Sequence, residues 1–322
     1  MTPGRAVAWP GRVPRPLLGD MAGRRRAWCW RARRRWCSWR CSCCRGCAGS
    51  TTPRRWQADL KHPVRHAFIA TLPVSLILLA SAAAMLFGPE TWVAALWWTG
   101  SLTQFAVTLW VLARWLSADR SQGLSWAALT PVLFIPVVGN VLAPLAGVML
   151  GAPAWTAAQF GLGVLLWPVL LALIGARIAT QGLWPERLLP VTFISVAPPA
   201  VIGSGVLLLG GPLTLAWMCW GVALFFVLWS GQVVRRMLTQ PFSIAFWSLG
   251  FPLAAFAALT LRLAQQDSAA QLPALVALAL ASLVVLVLGI ATWKGWREGS
   301  LLQPEPVAVM AVADSAPPPR AQ

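Results

Sequence analysis

From residue 66 onward the chain is a succession of eight apolar runs, at about 66 to 87, 91 to 116, 127 to 150, 154 to 178, 189 to 210, 214 to 234, 241 to 264 and 272 to 296. No other feature constrains the fold so strongly. Each run is long enough to cross about 30 Å of hydrocarbon, which takes roughly 20 helical residues. Strands of a membrane barrel are about half that length and alternate polar with apolar residues, and these runs do neither. Helices are the spanning structure left, because hydrocarbon offers no partner to an unpaired backbone N–H or C=O. The composition points the same way: 58% hydrophobic residues, 11% charged and a mean hydropathy of +0.66 exclude the two soluble domains that 322 residues could otherwise hold.

The breaks between runs alternate in kind. After the first, third and fifth come "GPE", "GAP" and "GGP", tight turns without Lys or Arg. After the second, fourth and sixth come longer links carrying Arg114 and Arg120, Arg177 and Arg187, then Arg235 and Arg236, while Lys61 and Arg65 precede the first run and Lys294 and Arg297 close the last. By the positive-inside rule the basic links and both chain ends face the cytoplasm. The expected architecture is an all-α polytopic membrane protein in which a helical hairpin with an outer Gly/Pro turn is repeated four times, inserted through its internal spans in the cell (inner or plasma) membrane. The first residues lack a continuous apolar region ahead of a small-residue cleavage site, so no secretory signal is read there.

Formal charge is +17, but 14 Arg stand against one Asp before residue 56, and 12 Lys and Arg against 8 Asp and Glu after it. The basic excess belongs to residues 1–55, so it gives no ground for a nucleic-acid partner of the membrane domain at 56–297. From Met21 to Asp59 there is no Leu, Ile, Val or Phe, and "GRRRAWCWRARRRWCSWRCSCCRGC" holds six of the seven cysteines. A basic aromatic arm and a zinc site are the alternatives, but no paired CxxC knuckle and no histidine accompany the thiols. A reading error explains the pattern more simply: Leu/Ala codons CTG GCG CTG, read one base late, become Trp-Arg-Trp. Residues 1–55 are therefore read as disordered and as the frameshifted image of an apolar hairpin. The tail at 298–322 is Pro-rich, aperiodic and read as disordered.

Ionisable groups inside a bilayer cost about 2.5 to 3.5 kcal/mol each and usually mark ion or proton paths. Glu90, Asp119, Glu186 and Asp267 all fall in breaks, so a pump built on a buried carboxylate relay is not expected. The two histidines, His62 and His66, stand at the mouth of the first run. No acid, base and metal-ligand set converges within the runs, so neither catalytic residues, a metal nor a cofactor is assigned, and the chain is read as not an enzyme. "GSG" at Gly203–Gly205 has no histidine on a facing run to serve as base and reads as small-residue packing. Gly147 and Gly151 have the GxxxG spacing that admits a close helix neighbour, and Cys219 reads as a small buried hydrophobe.

Prolines are uneven: Pro73, Pro131, Pro136, Pro144, Pro190, Pro198, Pro199 and Pro252 fall in odd runs, against Pro168 alone in the body of an even one. An interior proline removes a backbone hydrogen bond and kinks the helix, and the freed carbonyl needs a partner from water or a neighbouring helix. The odd runs are thus expected to line a central path, with kinks at Pro73, Pro136, Pro198, Pro199 and Pro252. Three polar residues qualify for it. Arg262, near the outer end of the seventh run, reads either as an attractor of anions or as an arginine snorkelling to headgroups. Asn140 reads either as a path-facing dipole or as an interhelical hydrogen bond, and His66 lies at the inner mouth.

"DLKHPVRHAFIATLPVSL", "VVGN", "APPAV" and "PFSIAFWSLGFPLAAFAALTLRLA" together resemble the tellurite-resistance/dicarboxylate transporter family, which includes bacterial TehA-type proteins and plant slow-anion channels. The likeness runs from about Asp59 to Trp296. It implies ten helices as five hairpins, odd helices around the pore, and homotrimers with one pore per subunit. The implied activity is passage of small anions (a C4-dicarboxylate such as malate, or chloride, nitrate, sulfite or tellurite) through a pore gated by a phenylalanine. The matching position is Phe251, in "SLGFPL", beside Pro252. Only four hairpins are present here, so the chain resembles that pore fold lacking its first hairpin. The alternative to a transporter is a truncated membrane adaptor or a membrane-embedded enzyme.

Overall fold

The computed structural model describes residues 65–116, 126 and 129–299, and the segments read above as disordered or frameshifted lie outside it except for Glu298 and Gly299. Every regular element among the described residues is helical. Six stretches are long and apolar enough to span a membrane: Ala67–Phe87, Pro153–Gln181, Glu186–Leu208, Leu213–Gly231, Ile244–Ala264 and Ser268–Glu298. Two of the eight expected runs differ. The second forms one α-helix, Thr91–Trp115, whose 25 residues reach about 37 Å, but Thr, Ser and Gln along it lower its hydropathy. The third is broken, and its apolar core, Pro131–Gly147, is shorter than a full span.

The odd runs share a construction that, among the even runs, only the last repeats, where Ser268–Ala270 is a 3-10 turn directly ahead of the α-helix. Each enters as a 3-10 helix and continues as α-helix: Arg65–Ala70 leads into α1 (Thr71–Phe87), Glu186–Val196 into α6 (Ala197–Leu208), and Ile244–Leu249 into α9 (Gly250–Ala264). The third run repeats the pattern twice, with Pro131–Leu133 before α3 (Phe134–Val138) and Gly139–Leu142 before α4 (Pro144–Gly147). The even runs are continuous α-helices: α2 (Thr91–Trp115), α5 (Pro153–Gln181), α7 (Leu213–Gly231) and α10 (Gln271–Glu298); a short α8 (Val234–Leu238) follows α7.

Proline explains where the α segments begin. Pro73, Pro136, Pro144, Pro198, Pro199 and Pro252 all sit within the first three residues of an α segment. A first-turn N–H has no intrahelical partner, and the ring's fixed φ suits the helix start, so proline belongs at this point. In the odd runs these prolines mark transitions from 3-10 to α geometry; Pro153 and Pro273 occupy the same early positions in the even helices Pro153–Gln181 and Gln271–Glu298, and Pro168 lies inside the first of these.

Burial separates two layers. Of the most apolar stretch of each span, 83% is buried in Glu186–Leu208, 56% in Ile244–Ala264 and 39% in Ala67–Phe87, against 22% in each of Pro153–Gln181, Leu213–Gly231 and Ser268–Glu298. The odd spans are the inner layer and the even helices wrap it. The inner spans pack in chain order: α1 on α4, the third run on α6, and α6 on α9, while α1 pairs with α2, α6 with α7 and α9 with α10. No comparable packing joins α1 to α9. The inner layer is thus an open arc, with the two middle spans enclosed and the two end spans half-covered. Left-handed glycines make the tight turns: Gly88, Gly151 and Gly210 each have φ near +80° and open "GPE", "GAP" and "GGP".

Candidate functional site

The uncovered face of α9 is where the residues singled out in sequence come together. Pro252 is buried, but Phe251, one residue earlier, is 39% exposed although α6, α7 and α10 cover the other sides of its helix. At about 100° per residue, Phe251, Ala255, Ala258 and Arg262 form one stripe, with Ala255 buried within it, and the eleven steps from Phe251 to Arg262 rise about 16 Å. Ala254, Ala258 and Leu261 are exposed beside them and Arg262 is half-buried. No acidic side chain pairs with Arg262 among the described residues. Next to the stripe, between α9 and α10, runs an apolar groove of about 560 Å³ lined by Ala254, Ala257, Ala258, Leu261, Ala281 and Ser282 among others.

The other end of the arc has a matching uncovered face. On α1, Leu72, Ser75, Leu79, Ala82 and Leu86 are exposed at three- and four-residue spacing, opposite the side that Pro73, Ile77, Ala80 and Ala84 bury. His66 falls in Arg65–Ala70, with its side chain outside the described part.

Asn140 lies away from both faces. It is fully buried, donates from Nδ2 to Thr108 Oγ1 at 2.7 Å and to the Val137 carbonyl at 3.2 Å, and accepts at Oδ1 from Gln159 Nε2 at 3.0 Å. Of its two readings, the interhelical hydrogen bond has these partners. The cluster it belongs to was not legible in sequence, because Ser101, Gln104, Thr108 and Gln159 are dispersed over two even runs. Spacing was the available signal: Ser101, Gln104 and Thr108 recur at three and four residues, one face of a helix.

The glycines of the small-residue motifs have separate roles. A side chain at Gly147 would collide with Thr156 Oγ1 and the Trp97 ring, so α4 lies tightly against α5 and α2 there. Gly151 faces open space and serves the turn instead. A Cβ at Gly203 would stand 2.9 Å from both Cys219 Cβ and a Leu259 methyl, which makes "GSG" a contact of α6 with α7 and α9. Among the described residues, no three His, Cys, Asp or Glu side chains gather as metal ligands would.

Comparison with known proteins gives this arrangement a family context. The SLAC1 family model, described as voltage-dependent anion channel, matches residues 40–293. The chain is 26% identical over 231 residues to an uncharacterized transporter of Methanocaldococcus jannaschii, which covers 62% of this chain and 64% of that protein. It is 26% identical over 238 residues to the S-type anion channel SLAH3 of Arabidopsis thaliana, covering 72% of this chain and 36% of that one. With the S-type anion channel SLAH2 of the same plant it is 26% identical over 210 residues, 63% of this chain and 39% of the relative. The chain spans less than two thirds of the length of each of these three relatives.

Proposed function

This chain belongs to the SLAC1 family of voltage-dependent anion channels, and we propose that it passes small anions passively across a membrane along its inner layer of proline-started spans. The observation that carries the reading is the α9 stripe, where Phe251 and Arg262 lie on a side of α9 that no helix covers among the described residues. An aromatic ring at the first turn of a span swings by a rotamer change without moving the backbone, which suits a gate. A guanidinium at the other end of the stripe raises the local anion concentration. Among the described residues, the inner spans carry a carboxylate only at Glu186, the first residue of Glu186–Val196, where it pairs with Arg236 at 3.2 Å. The substrates are of the class chloride, nitrate or a C4-dicarboxylate.

In this reading the eight runs are four hairpins with cytoplasmic ends, Arg262 lies at the outer mouth, and subunits associate as homotrimers. The open arc is the place of an absent first hairpin. The half-covered end spans, the exposed stripe on α1 and the alanine-lined groove beside α9 support this, because small residues admit a close helix neighbour. Translating the gene's other two frames over residues 1–58 tests it: two apolar runs of about 20 residues are expected, and their absence rejects the lost hairpin.

Flux in reconstituted vesicles tests the conduction. The expected result is anion flux above that of protein-free vesicles, raised several-fold by Phe251→Ala. A chain that conducts in neither form is the membrane adaptor of the alternative reading.

A further inference from the structure

The interrupted third run poses a problem that its own backbone does not solve. Pro136 brings no N–H to the helix, and the chain passes from α to 3-10 geometry at Gly139–Leu142, an irregular stretch of backbone polar groups in which Gly139 N–H still donates to the Ile135 carbonyl. In a membrane such groups need partners from neighbouring helices. The outer layer provides them: Gln104 Nε2 on α2 donates to the Ile135 and Pro136 carbonyls at 3.2 and 3.1 Å, and the single proton of Thr108 Oγ1 is within reach of the Pro136 carbonyl at 2.7 Å and of the Gln104 carbonyl of its own helix at 2.9 Å. Asn140, on the 3-10 turn itself, donates back to Thr108 and accepts from Gln159 of α5. Gln159 in turn accepts from Ser101 Oγ at 2.6 Å and donates to the Ser101 carbonyl at 3.1 Å, and Trp155 donates to Ser101 Oγ at 2.7 Å. Ser101, Gln104, Thr108, Asn140 and Gln159 are all essentially inaccessible to solvent.

Two outer helices from different hairpins thus hold one turn of an inner span from both sides. Apart from Gln104 Oε1, which has no partner among the described residues, the side-chain donors and acceptors of this buried network are engaged, and a shift would strand them in a dry site. We propose that Thr108, Asn140 and Gln159 are positioning residues that lock the break at Gly139–Leu142 in one setting and thereby fix the width of the path beside it. The second half of this statement rests on the conduction reading above. Gly139 fits the same role, since a Cβ there would stand 2.7 Å from Gln104 Nε2 and push the clamp away.

The test compares Thr108→Val, which keeps the shape and removes the hydroxyl, with Thr108→Ser, which keeps the hydroxyl, in the full chain reconstituted in lipid. Hydrogen exchange of the amides at 139–143 and the nitrate-to-chloride permeability ratio are both measured. In Thr108→Val the amides exchange about tenfold faster, the equivalent of one buried hydrogen bond lost, and the permeability ratio shifts; Thr108→Ser retains both wild-type values. Unchanged exchange in Thr108→Val overturns the clamp. Faster exchange with an unchanged ratio overturns its role in setting the path, because loss of folded protein alone lowers total flux without altering a ratio. A wild type that passes no anion defeats the conduction reading alone, and exchange then decides the clamp by itself.

Discussion

Gly147 and Arg262 differ in what their neighbourhoods demand. At Gly147 the space for a side chain is already taken by Thr156 Oγ1 and the Trp97 ring. Gly147→Ala is expected to destabilise the protein by about 1 to 3 kcal/mol, the usual cost of overpacking, and Thr156→Ala in the same chain to recover part of it; thermal unfolding in detergent measures both. The GxxxG spacing signals that Gly147 admits a close neighbour, but its partners come from α2 and α5, which only the packed structure brings together. Arg262 has solvent access and no acidic partner among the described residues, so its charge acts at a distance. Arg262→Gln is expected to lower anion flux several-fold at low ionic strength, with the difference fading near 1 M salt, where the Debye length is about 3 Å. A difference that persists at high salt contradicts the attractor role.

At the scale of elements, helix content was legible because runs of about 20 apolar residues leave little choice in hydrocarbon. The position of prolines was legible too, but not what they do. Read alone, Pro198 or Pro252 signals a kink inside a helix. In the structure each lies in the first turn of an α segment that follows a 3-10 entry, a change of hydrogen-bond partner from i−3 to i−4 that hydropathy does not register. The ring of Pro252 sits in the first α turn after the 3-10 entry, where its fixed φ is accommodated, so Pro252→Ala is expected to change stability by less than about 1 kcal/mol, as read from the same thermal unfolding. A loss near the 3 kcal/mol associated with disrupting a helix interior contradicts this account of the junction. The polar network escaped notice because no single member is unusual; its meaning lies in contacts between residues up to 58 positions apart.

Over the whole molecule, the four inner spans pack in chain order and stop, leaving α1 and α9 as the uncovered edges of an arc. Phe251 and Arg262 lie on one of those edges as far as the described residues go. The order of the layers follows from burial, which is 39 to 83% for the odd spans Ala67–Phe87, Glu186–Leu208 and Ile244–Ala264 and 22% for each even span. The central claim is that this arc belongs to an anion-selective path. The most direct measurement is the reversal potential of currents from the purified chain in a planar bilayer under a KCl gradient. A reversal close to the chloride equilibrium potential is predicted; a reversal at the potassium potential, or no current beyond that of the bare bilayer, contradicts it.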